Sequence, residues 1–150
     1  MSKANPSSDP YHLDRFVAAQ APVIAEVLEE LRAGRKRTHW MWFVFPQVQG
    51  LGTSSMAQLF GIGSLEEARA YLVHPVLGPR LHECCTLLLQ VRGRTAHEIL
   101  GSPDDLKLRS CLTLFALAAP RDPLWRDCLD RFYGGTPDPR TVALCGTMAP

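Results

Sequence analysis

Residues 40–45, WMWFVF, are an unbroken apolar run, and this run restricts the fold more than any other feature. Its aromatic and β-branched content suits a buried strand. Its length fits a strand or a buried helix equally. A lone strand needs a partner, and the chain offers none: alternating apolar–polar stretches are scarce, and apolar residues recur at helical spacing. The run is therefore read as a short helix, apolar on all sides, buried in the middle of a bundle.

The remaining segments follow the helical period. LDRFVAAQ places Leu13, Phe16 and Val17 on one face. Pro22 opens PVIAEVLEELRAG, where Ile24, Val27, Leu28 and Leu31 make a stripe and Glu26, Glu29, Glu30 and Arg32 lie mostly opposite; Gly34 ends it. SSMAQLF reads as a short helix. Ser64 with Glu67, Thr95 with Glu98 and Ser102 with Asp105 read as capping boxes. Pro75 opens a long apolar helix with Leu77, Leu81, Leu88 and Val91 toward the core. PLWRDCLDRFY keeps the spacing through Leu124, Cys128, Leu129 and Phe132, and PRTVALC closes the chain with a last turn or two. The expected fold is all-α: a compact single-domain multihelical bundle with a short buried central helix, over 11–150, after a polar disordered tail at 1–10.

The totals narrow the function classes. A chain of 150 residues fits one domain with a sizeable core. A net charge of +1 argues against nucleic acid as a partner recognised through the overall field. No apolar run approaches the ~18 residues of a membrane span, and the polar start MSKANPSSDP is not a signal peptide. The five cysteines are odd in number and lack CxxC spacing, which reads as free thiols in a reducing, cytoplasmic compartment. The oligomeric state is left open.

Three constellations could carry chemistry. In RKRTHWMWFVFPQVQGLG, Arg35, Lys36, Arg37 and His39 offer cations to an anion. Trp42 offers a ring on which a planar group stacks, and Gln47, Gly50 and Gly52 fit a close backbone approach. The bland alternative is a solvated basic turn at a helix C-terminus followed by core. In HPVLGPRL, His74 and Arg80 flank a helix start that could take an anion; alternatively His74 substitutes for an N-cap and Arg80 is a surface charge. In GSPDDLKLRS, Asp104 and Asp105 either complement the helix dipole or supply a general acid/base, with Lys107 and Ser110 on one face. The histidines show no metal-binding spacing, and no P-loop, GxGxxG or GxSxG context occurs. No metal or cofactor is expected.

The strings GRKRTHWMWFVFPQVQGLG, EARAYLVHPVLGPRL and DDLKLRSCLTLF resemble the bacterial family called domain of unknown function 1810, over roughly residues 9–145. The resemblance implies an all-helical fold with an unusually short buried central helix. Phe60 stands where the family pattern suggests tyrosine, and SCLTLF stands for SSMTLF, which removes that hydroxyl and weakens a paired-serine site. Some members carry a calpastatin label, but calpastatin is a disordered inhibitor. A fainter similarity, in segment order only, is to the NADAR family associated with ADP-ribose chemistry. That similarity implies hydrolysis of a glycosidic bond in an ADP-ribose-type molecule, with Arg35 or Arg37 on phosphate, Trp42 stacking, and Asp104 or Asp105 as acid/base. The competing expectation is a non-enzymatic binding or protein-interaction module. Convergence of these polar residues on one cleft is what separates the two.

Overall fold

A computed structural model describes residues 8–148, and among them ten helices make up the fold. In order, α1 is Asp14–Gln20, α2 Ile24–Ala33, α3 Met41–Val44, α4 Ser55–Phe60 and α5 Leu65–Val73. They are followed by α6 Leu77–Gln90, α7 Ala96–Leu100, α8 Asp104–Ala118, α9 Pro123–Tyr133 and α10 Pro139–Met148. The only extended pairing among the described residues is an isolated bridge between Val48 and Ile62. The expected tail falls mostly outside the described residues. Its last residues are placed: Asp9 accepts hydrogen bonds from the backbone N–H groups of Leu13 and Asp14, at 2.7 and 3.0 Å.

The apolar run is the single turn α3. Met41, Phe43, Val44 and the flanking Trp40 and Phe45 are all buried. So short a helix satisfies few of its own carbonyls, and a buried side chain supplies what is missing. Gln20, at the end of α1, donates from Nε2 to the Phe43 carbonyl at 2.6 Å and lies 3.1 Å from the Tyr71 hydroxyl. Around this turn Phe16, Phe60, Tyr71, Phe115 and Trp125 form a chain of ring contacts 5.1–5.6 Å apart. Helices α5 and α6 meet at Gly78, where a β-carbon would stand 2.1 Å from the Leu72 carbonyl oxygen, so only glycine fits.

Several local expectations change. The Thr95–Glu98 capping box is complete. Ser64 caps α5, but the Glu67 carboxylate turns to the Gly63 N–H and to Arg15, 2.9 Å away in each case. Ser102 caps nothing: α8 starts at Asp104, Pro103 occupies the cap position, and the Asp105 carboxylate is taken by the Leu106 N–H and His97. Helix α6 starts at Leu77 rather than Pro75, because His74 Nδ1 accepts from the N–H groups of Val76 and Leu77. The last helix runs ten residues. Glu30, expected opposite the α2 stripe, is buried at 2% exposure.

Candidate functional site

The basic segment between α2 and α3 is held from two sides. On the α2 side, Glu30 Oε1 accepts from the N–H groups of Arg37 (2.9 Å) and Thr38 (3.2 Å) and from Trp40 Nε1 (2.9 Å), while Oε2 accepts from the Thr38 hydroxyl at 2.6 Å. Burial pushes this carboxyl up, but the hydrogen bonds from Thr38, Arg37 and Trp40 outweigh it and bring it down to about 2. On the α8 side, Lys36 Nζ pairs with Asp104 Oδ2 at 3.0 Å, and the Lys36 N–H donates to the Ile99 carbonyl at 2.7 Å. Asp104 Oδ1 lies 3.8 Å from Lys107 Nζ. Each lysine also sits over an indole, Lys36 at 4.9 Å from the Trp40 ring and Lys107 at 5.3 Å from the Trp42 ring. Asp104 therefore ties two cation–ring pairs together.

This arrangement lines a cleft of about 390 Å³, bordered by Lys36, Arg37, His39, Trp42, Asp104 and Lys107. Trp40 is buried, whereas Trp42 is half-buried. The Arg37 guanidinium is exposed, and no described residue engages it. Three fixed cations against one carboxylate leave the cleft positively charged. A half-buried indole beside this net positive charge, with the Arg37 guanidinium unengaged, can take a planar ring that carries an anion.

The other sequence-predicted residues lie elsewhere. Gln47 lines an adjoining cleft. Arg35 is exposed and lines none of the concavities described. His74 Nδ1 and its carbonyl take the Val76, Leu77 and Gly78 N–H groups, so the start of α6 has none free for an anion, and Arg80 Nη1 reaches Gln20 Oε1 at 3.3 Å. Asp105 faces His97, 3.5 Å away, and its carbonyl accepts a short bond from the Tyr133 hydroxyl. At the start of α8, the N–H groups of Asp105, Leu106 and Lys107 are taken by the carbonyls of Gly101 and Pro103. Gly50 sits at φ 103°, and a β-carbon at Gly52 would stand 2.8 Å from that of Ala57, so local geometry accounts for both glycines. Among the described residues, no three His, Cys, Asp or Glu side chains gather as metal ligands.

A larger concavity, about 780 Å³, lies along 89–95 and 131–132. It has several arginines, but Arg131 Nη2 donates to the Val91 carbonyl at 2.6 Å and Arg94 Nε to the Gly34 carbonyl at 3.0 Å. Those guanidinium groups close helix ends, so size alone does not make this the better candidate.

Sequence reasoning missed Glu30, which positions the site without lining it. A signal was present. Residues 27, 30, 31 and 34 share a helix face, and an acidic side chain in the last turn opposes the helix dipole unless something else holds it.

A family model described as protein of unknown function, DUF1810, matches residues 10–145. A solved structure, that of the conserved hypothetical protein Rv1873 from Mycobacterium tuberculosis, is 61% identical and superposes with a TM-score of 0.91, covering 92% of this chain and 99% of that one. A search of the curated proteins finds no match.

Proposed function

Because this chain belongs to the DUF1810 family, described only as protein of unknown function, we propose its role from the cleft: it binds a small anionic, nucleotide-like molecule. The ring of that molecule stacks on Trp42, and its phosphate meets Arg37 and Lys107. The observation that carries this reading is the juxtaposition of a half-buried indole with a guanidinium that no described residue engages, both on a segment locked by Glu30. Five free thiols, all buried, support a reducing, cytoplasmic setting in a bacterial cell. Among the described residues no helix is long and apolar enough to cross a membrane.

The reading favours binding over turnover, since of the two candidate carboxylates only Asp104 borders the cleft. Glycosidic hydrolysis of an ADP-ribose-type molecule is the second reading, and what favours it is that this carboxylate stands beside the indole and the two lysines. Calorimetric titration with AMP and ADP-ribose tests the first. Binding should weaken by about 1.5–3 kcal/mol in Arg37→Ala, the usual range for a hydrogen bond to a charged group, and by about 1–3 kcal/mol in Trp42→Ala, the usual worth of base stacking. Neither compound binding, or unchanged affinity in both variants, refutes it. Chromatography of ADP-ribose after overnight incubation tests the second: release of free adenine that disappears in Asp104→Asn would establish it, while intact ADP-ribose, or cleavage at the diphosphate to AMP and ribose 5-phosphate, would remove it.

A further inference from the structure

The cleft has a second lobe. About 400 Å³ of space opens on the other side of Lys107, bordered by Gln47, Leu106, Arg109, Ser110, Asp138 and Arg140. Pro103 and Lys107 border both lobes, so the two adjoin at the Lys107 side chain.

The polar groups of this lobe are set by its own framework. Arg109 donates from Nε and Nη2 to the Thr136 and Pro137 carbonyls, at 3.0 and 2.9 Å. These bonds orient the guanidinium without neutralising it. Asp138 Oδ2 accepts from the Ser110 hydroxyl (3.1 Å), the Thr141 N–H (3.1 Å) and the Thr141 hydroxyl (2.5 Å). Burial raises the Asp138 carboxyl, but these bonds and Arg109 bring it below its usual range. Arg140, at the first turn of α10, is exposed, and its one hydrogen bond is long, 3.4 Å to the Leu51 carbonyl. Across both lobes Lys36, Arg37, Lys107, Arg109 and Arg140 face only Asp104 and Asp138, an excess of three positive charges in a chain whose net charge is +1. Cationic walls around a low-dielectric concavity concentrate that field on whatever lies between them.

We propose that the second lobe is a subsite for the distal half of an extended ligand: a planar ring in the Trp42 lobe with its own phosphate at Arg37 and Lys107, and a second, hydroxyl-bearing half whose phosphate, joined to the first, meets Arg109 and Arg140 while its hydroxyls face Asp138. This rests on the proposed nucleotide-like reading of the first lobe. A single nucleotide fills one lobe and leaves the Arg109–Arg140 charges unmatched. A ligand with two halves joined through phosphate matches both and gives Asp138 and Gln47 hydroxyls to bond.

The experiment is calorimetric titration of the whole protein with AMP and with ADP-ribose, in the wild type, Arg37→Ala and Arg140→Ala, with thermal melts to show that each variant is folded. ADP-ribose should bind at least about 10-fold tighter than AMP. Arg140→Ala should weaken ADP-ribose about 10-fold or more, the loss expected for a charged hydrogen bond, while AMP affinity stays within about 2-fold. Arg37→Ala should weaken both. If AMP and ADP-ribose bind but Arg140→Ala leaves ADP-ribose unchanged, or weakens AMP equally, the second subsite is refuted while the first reading stands. If neither compound binds, both fall.

Discussion

Replacing Glu30 by glutamine is the most direct test of how the site is held. Glutamine keeps the shape of the side chain and resembles the protonated acid, so the substitution removes the charge and little else. The carboxyl moves from an ordinary value of 4.5 to about 2 in the folded chain. At about 1.4 kcal/mol per pKa unit, that shift corresponds to a contribution on the order of 3 kcal/mol at pH 7. The side chain is only 2% exposed, so solvent screening reduces this little. The sign follows from linkage. A depressed folded-state pKa stabilises above the unfolded value, and the benefit drains away as pH falls from about 4.5 through about 2. Urea melts at pH 7 should therefore place Glu30→Gln about 3 kcal/mol below the wild type. At pH 3 the gap should shrink to about half, because the wild type is then losing a charge that the variant never had. The Trp40 indole, whose Nε1–H donates to this carboxylate, should report the change in its fluorescence. A gap below about 1 kcal/mol at pH 7, or the same gap at pH 7 and pH 3, would refute the view that the ionised carboxylate organises residues 37–40.

Trp40→Ala should cost about 3–5 kcal/mol in denaturant melts, as for other buried aromatics, whereas half-buried Trp42→Ala should cost about 1 kcal/mol in proportion to its smaller burial; equal losses would contradict their different placements. Gly78→Ala should lose about 3 kcal/mol, the upper part of the usual range for overpacking, because a backbone atom has no side chain to relax it, and a loss under about 1 kcal/mol in a urea melt would show that α5 and α6 move apart easily. Burial pushes the Cys84 thiol up to about 12 and the Cys111 and Cys145 thiols upward, and hydrogen bonding with Cys128 together with burial raises Cys85, so a chromogenic thiol reagent should label almost none of the native protein and all five cysteines in guanidinium without reductant; a count of three or fewer in denaturant would reveal a disulfide.

How much of this was legible in the sequence depends on the range of the forces involved. The helices were, because burial follows the period of the chain: WMWFVF had no partner strand and became the turn Met41–Val44. Capping was legible where both partners are local and nothing else claims them, as at Thr95 and Glu98, whose two reciprocal hydrogen bonds complete the box. It failed where the second partner had a competing offer from a distant residue. Glu67 turned to Arg15, 52 positions away, and Asp105 to His97. The cleft was legible as a set of residue types but not as a place. Lys36, Arg37, His39, Trp42, Asp104 and Lys107 meet because α8 lies against the basic segment, a pairing that no local pattern encodes. His74 and Arg80 carried the same chemistry and were drawn into capping α6 and bonding Gln20 instead.

The three consecutive basic residues 35–37 show why spacing alone misleads. Arg35 points into solvent at the close of α2, where cations are favoured at a helix C-terminus. Lys36 is spent inside the fold, with its charge on Asp104 and its backbone on Ile99. Only Arg37 combines a clamped backbone with a guanidinium that no described residue engages. The clamp matters to function as well as to stability. Ordering the backbone of a free loop would cost about 1–2 kcal/mol of binding energy for each residue fixed. Glu30 has already fixed the backbone of Arg37 and Thr38 during folding. Glu30 thus acts on the site through geometry, without touching anything that enters the cleft. Arg37 bears the opposite signature, since an exposed guanidinium adds little to stability. Affinity without stability should mark Arg37, and stability together with affinity should mark Glu30.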